Sequence, residues 1–139
     1  MLERTLWLVA FSAVLLGGYL LWTRYWQQQT RTLALAAVPA QLAGLPLAAG
    51  PAILYFTTAT CAQCRLQQTP ALARLQQTLD PLQVIKLDAV EHSALADFYH
   101  VMTVPTTIVL DATRRPVAIN HGVATTERLL TQLEPLTRS

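Results

Sequence analysis

Charge is scarce in this chain. Lys, Arg, Asp and Glu make up 13% of its 139 residues, and the formal net charge is +2. Beyond residue 31 seven basic side chains are balanced by seven acidic ones. A soluble part without net charge has no basic stripe to attract phosphate, which argues against nucleic-acid binding. Histidine occurs three times, as His92, His100 and His121, with no paired spacing near a cysteine. A closed zinc site needs four ligands, so no metal centre is expected. Cysteine occurs twice, and a soluble part of about 90 residues can bury a modest core without a metal or disulfide staple. No internal repeat is visible, which removes solenoids and propellers.

What is present begins with a long apolar run. Residues 6–22 carry no charge and approach the ~20 residues that a spanning helix needs. Extended to Trp26, the run crosses a bilayer. Trp7 at one end and Trp22, Tyr25 and Trp26 at the other stand where aromatic rings prefer the headgroup layers, and Arg4 and Arg24 bracket the stretch. The run is read as a membrane anchor over residues 1–26, with membrane contact through residues 6–26. A cleavable secretory signal is the competing reading, since Ala34-Leu35-Ala36 offers small residues to a peptidase, although the polar residues 23–32 separate it widely from the apolar core. The flanking positive charges are nearly balanced and give orientation little leverage. The soluble domain is read as extracytoplasmic.

Residues 27–50 are read as a linker and a short first element, rich in Ala, Leu, Pro and Gly without clear periodicity. From residue 51 to 139 the pattern is that of a folded domain. Residues 52–56 form a short continuous apolar run, the mark of a strand covered on both faces. An amphipathic helix follows, with Leu66, Leu72, Leu75 and Leu79 inward, Gln67, Gln68, Arg74 and Gln76 outward, a bend at Pro70 and an end at Asp80-Pro81. Residues 84–87 read as a strand, and 93–99 as a short helix capped by the Ser93 hydroxyl and burying Leu95 and Phe98. Residues 104–110 allow a strand if Pro105 is its first residue. After a turn at 111–115, residues 117–120 return antiparallel, Gly122 permits a conformation other residues resist, and Thr125 opens a last helix with Leu129, Leu130 and Leu133 inward before Pro135. The order is strand, helix, strand, helix, strand, strand, helix. It predicts an α/β fold with helices on both faces of a mixed central sheet.

Cys61 and Cys64 lie three apart in Thr60-Cys61-Ala62-Gln63-Cys64-Arg65, directly after the first strand. That placement delivers a dithiol to the start of a helix and favours a paired role over coincidence. Only a thiolate attacks a disulfide, and the unpaired N–H groups and positive dipole end of a helix start lower a thiol's pKa. Arg65 either adds to this field or points to solvent. An inert local disulfide and half of a zinc site are the bland alternatives for the pair.

Together the strand, the Cys-x-x-Cys at a helix start, a proline six residues after the second cysteine, and Val104-Pro105-Thr106 before a hairpin resemble the thioredoxin family over roughly residues 51–136. The resemblance implies a thioredoxin-like three-layer sandwich with a mixed central sheet, preceded here by the one N-terminal transmembrane helix that the apolar run predicts. It implies Cys61 as attacking thiol, Cys64 as resolving thiol, Pro105 as the cis-proline facing them, and Val104 and Thr60 as further substrate-binding positions. Lys86 falls where the family has a lysine near the active-site strand, and Gly122 where it has a glycine beside the substrate groove. Four features depart from the family. Thr60 stands where a tryptophan precedes the first cysteine, Ala62-Gln63 replaces Gly-Pro, Tyr55 stands where a buried aspartate is usual, and the proline after the second cysteine is displaced by one. The implied activity is disulfide exchange with protein thiols and disulfides, without a cofactor, supplied by an upstream dithiol donor or acceptor. A tethered binding module with little turnover and a dedicated reductant in an assembly pathway are the alternatives.

Overall fold

The computed structural model describes residues 1–35 and 38–138, in two compact units, Met1–Thr32 and Leu33–Ser139. Of the candidate peptidase triplet, Ala36 lies outside the described residues.

The first unit is helical. Helix α1 runs Leu2–Leu35, about 51 Å at the usual rise per residue. Its stretch Leu2–Gln28 is long and apolar enough to cross a membrane, and no residue of its most apolar window is buried. A helix that is apolar all round needs either a protein core or lipid around it. Three of its hydroxyls turn back on the helix: Thr5 Oγ1 donates to the Leu2 carbonyl, Ser12 Oγ to Leu8 and Thr23 Oγ1 to Leu20. Internal satisfaction of this kind is what a hydrocarbon surrounding demands. A signal sequence near the N-terminus meets the same length and composition criteria.

The second unit is the α/β domain. Its strands are β1 (Ala52–Thr57), β2 (Gln83–Asp88), β3 (Thr106–Leu110) and β4 (Pro116–His121), in the sheet order β2-β1-β3-β4. β1 pairs parallel with β2 and antiparallel with β3, and β3 pairs antiparallel with β4. The sheet is therefore mixed, as the element order predicts. Central strands β1 and β3 are buried throughout, which is why they read as unbroken apolar or β-branched runs.

Alternation along β1 sends its side chains to opposite faces. Ile53 and Tyr55 join Leu72, Leu75, Leu129 and Leu133 of helices α2 (Thr69–Thr78) and α4 (Thr126–Thr137) on one face. Leu54 and Phe56 join Leu42, Leu87, Leu95 and Tyr99 on the other, beside α3 (Ser93–Phe98). Leu42 comes from a short 3-10 turn, Ala40–Gly44, that packs beside α3. Arg114 ties the next stretch down by donating to the carbonyls of Ala48 and Gly50.

Three local expectations fail, each for a physical reason. Leu66 is exposed and Gln68 buried, the reverse of the predicted faces, because Gln68 stands four residues before Leu72 and seven before Leu75 and so shares their inward face, whereas Leu66 is out of phase with them. The segment Cys64–Gln68 is a π-helical turn in which the Thr69 N–H reaches back five residues to the Cys64 carbonyl. Helix α3 has His92, not Ser93, at its N-cap, and no side chain caps it; Asp88 Oδ1 organises the preceding turn by accepting from the Val90 and Glu91 N–H groups. Helix α4 continues through Pro135 to Thr137. Thr125 Oγ1 does cap that helix, accepting from the Arg128 N–H at 3.2 Å.

Candidate active site

Sheet register gathers the site. Phe56 of β1 pairs with Thr106 of β3, and Thr106 pairs with His121 of β4. The loop after β1, the residues just before β3 and the loop after β4 therefore emerge at one end of the sheet. Those segments carry Thr60 and Cys61, Val104 and Pro105, and Gly122 to Ala124. Gly122, at a positive φ of 85°, donates its N–H to the Pro105 carbonyl at 2.9 Å. The Val104–Pro105 peptide is cis, as is Asp80–Pro81.

Cys61 and Cys64 are joined as a disulfide across a Cα–Cα distance of 5.3 Å. Cys61 is partly exposed, whereas Cys64 is 1% exposed and belongs to the core cluster beneath. Cys61 and Val104 both pack against that cluster. Pro105 is buried, and Thr60 is exposed beside Cys61. Helical residues start at position 62, so Cys61 sits at the helix entrance, where the Cys64 N–H donates to its sulfur at 3.2 Å. A donor aimed at that sulfur, together with the dipole end, favours the thiolate once the bond is reduced. The Arg65 side chain is exposed, and its own N–H donates to the Cys61 carbonyl at 3.4 Å.

Behind the dithiol, Tyr55 is 2% exposed. Its hydroxyl donates to the Cys64 carbonyl at 3.0 Å and lies 3.3 Å from Thr69 Oγ1. Tyr55 and Thr69 line a cleft of about 170 Å³ together with Gln76 and Lys86. Lys86 is exposed and pairs with Tyr55 across the β1–β2 register. Among the described residues, no group of three or more His, Cys, Asp or Glu side chains is placed to hold a metal.

The family model described as thioredoxin matches residues 43–135. The chain belongs to the thioredoxin family. Among solved structures it is similar to thioredoxin O2 of Arabidopsis thaliana in its oxidised state, with 29% identity, a TM-score of 0.53, and 63% of this chain and 76% of that one covered. It is also similar to a mutant thioredoxin of Halobacterium salinarum, with 27% identity, a TM-score of 0.57 and coverage of 64% and 76%. Thioredoxin-2 of the malaria parasite shares the fold at 22% identity and a TM-score of 0.58, over 66% of this chain and 88% of that one. No curated protein matches the sequence. Membership of the thioredoxin family and a linked cysteine pair support thiol–disulfide oxidoreductase chemistry in general, with protein thiols and disulfides as its substrates.

Gln68 is the site-adjacent residue that its polarity misplaced. Its side chain is 0% exposed and bonds to the backbone of the loop after β4. Its spacing was the available signal, because a residue four before Leu72 and seven before Leu75 shares their face of the helix.

Proposed function

We propose that this chain is a membrane-tethered protein disulfide oxidoreductase in which Cys61 attacks and Cys64 resolves. The observation that carries this reading is the asymmetry of the linked pair, one sulfur accessible at a helix entrance and the other buried behind it. In the reducing direction, the Cys61 thiolate attacks one sulfur of a partner disulfide, and the partner's other sulfur leaves as a thiolate and takes a proton. Cys64, deprotonated, then attacks the Cys61 sulfur of the mixed disulfide. The partner's second thiolate departs, and the Cys61–Cys64 bond re-forms with two electrons transferred. The opposite sequence oxidises a dithiol partner. Val104 and Pro105, with Thr60 beside Cys61, form the surface on which the partner chain lies, and an upstream dithiol donor or acceptor resets the pair.

Residues 1–26 serve as the anchor, residues 27–50 lead into the domain, and residues 51–139 form the domain itself on the extracytoplasmic side. The apolar length of α1 and its aromatic flanks support the anchor. Protease accessibility of the domain in sealed vesicles, with sequencing of the mature N-terminus, tests side and cleavage together.

The exchange reading is tested with insulin as the disulfide partner and dithiothreitol as the donor. Cys61→Ser abolishes turnover that the parent shows, and Cys64→Ser traps a mixed disulfide visible on a non-reducing gel. A Cys61–Cys64 bond that dithiothreitol barely opens, with neither sulfur ever alkylated, overturns the reading in favour of a binding module.

A further inference from the structure

Gln68 is a polar side chain with no access to solvent, one turn beyond Cys64 on the active-site helix. Such a group is costly to bury unless both ends of its amide find partners. Both do, on a single residue. Gln68 Nε2 donates to the Ala124 carbonyl at 3.1 Å, and the Ala124 N–H donates to Gln68 Oε1 at 2.8 Å. The amide thus gives Ala124 what a neighbouring strand would give it. Ala124 lies two residues after Gly122, which is bound to the Pro105 carbonyl. Thr126 Oγ1 adds a third tie, donating to the Ala71 carbonyl at 3.0 Å. The loop after β4 is therefore held on one side by the segment before β3 and on the other by the helix that carries Cys64. An apolar side chain of the same length would fill the space equally well but would leave both Ala124 groups unpaired.

We propose that Gln68 is a positioning residue for partner binding: its buried amide clamps Ala124 and so holds the Gly122–Ala124 wall at a fixed spacing from the Cys64 helix in both redox states. The inference rests on the exchange function proposed above. A loop that must receive an extended chain between itself and a reactive sulfur loses binding when its spacing drifts.

The test compares parent and Gln68→Met, as full chains, on insulin with dithiothreitol as donor, and on 2-hydroxyethyl disulfide, a small linear disulfide that makes little use of the groove walls, reduced by the pre-reduced protein as its Cys61–Cys64 bond re-forms. In the variant the insulin KM rises about tenfold, the net worth of one or two hydrogen bonds, with a much smaller change in kcat. The ratio of the insulin rate to the hydroxyethyl disulfide rate falls by a similar factor. Rates that fall together on both disulfides, or that do not fall at all, overturn the proposal. Gln68→Asn keeps a neutral amide on a side chain one methylene shorter, so its ratio falls less, and it serves if the methionine variant does not fold. Independently, the Ala124 amide of the parent exchanges slowly with deuterium in both oxidised and reduced protein; rapid exchange in either state overturns the clamp. A parent that turns over neither disulfide removes the exchange reading and this proposal together. A parent that turns over, with variants that match it, removes the proposal alone.

Discussion

Tyr55 and Tyr99 are both buried, one on each face of the sheet, and their hydroxyls meet opposite surroundings. Tyr55 donates to the Cys64 carbonyl and lies beside Thr69 Oγ1. The Tyr99 hydroxyl has no hydrogen-bond partner among the described residues, and burial pushes its pKa up to about 12. The face beneath the dithiol carries satisfied polar groups: Tyr55 on the Cys64 carbonyl, and Gln68 on Ala124. The opposite face, with Leu54, Phe56, Leu87 and Leu95, is an apolar filling that tolerates one unsatisfied hydroxyl. One face sets the geometry of the site, and the other supplies burial.

Removing Phe56 tests that division most severely. Phe56 is fully buried on the apolar face, and Phe56→Ala costs about 3–5 kcal/mol, read from denaturant unfolding, without changing the Cys61–Cys64 potential in the fraction that stays folded. A large shift in potential would show that the faces are not separable. On the site face, Tyr55→Phe removes the bond to the Cys64 carbonyl and lowers stability by about 1 kcal/mol. Tyr55→Asp restores the carboxyl usual at that position and accelerates insulin reduction; a variant no faster than the parent would show that the carboxyl is not what limits this chain.

Tyr99→Phe carries the opposite sign. Deleting a hydroxyl buried without a partner raises stability by about 1 kcal/mol, and a loss of that size in a thermal melt would mean that the group has a partner after all. The smallest effect lies in the β3–β4 turn. Burial pushes the Asp111 carboxyl up, but hydrogen bonds from the Thr113 hydroxyl and from the Arg115 and Thr113 N–H groups, with the charge of Arg115, outweigh it and hold its pKa below the ordinary value. Because the folded pKa is the lower one, this contribution is complete above the unfolded carboxylate pKa and is lost as pH falls through the folded value. Unfolding midpoints of the parent therefore fall on the acid side more steeply than those of Asp111→Asn, and parallel curves would contradict the assignment.

The element order, the mixed sheet and the dithiol at a helix entrance were legible because each rests on a local pattern. Continuous apolar runs mark β1 and β3, Thr125 marks the start of α4, and the cysteine spacing marks the pair. Phase and end effects were less legible. Gln68 turns inward and Leu66 outward against their polarity, in phase with Leu72 and Leu75, the Asp88 carboxylate replaces Ser93 as the organiser of the turn before α3, and Pro135 fails to stop a helix already near its end.

By itself, the amino-acid order determined which residue types could meet: two cysteines within one turn, one apolar stretch long enough for a bilayer, and a proline opening a strand. Folding alone decided which sulfur faces solvent, that the Tyr55 hydroxyl faces a carbonyl, and that Gln68 closes on Ala124, 56 positions away. Local patterns record helix and strand periods, whereas burial and long-range hydrogen bonding depend on where the assembled sheet places each turn.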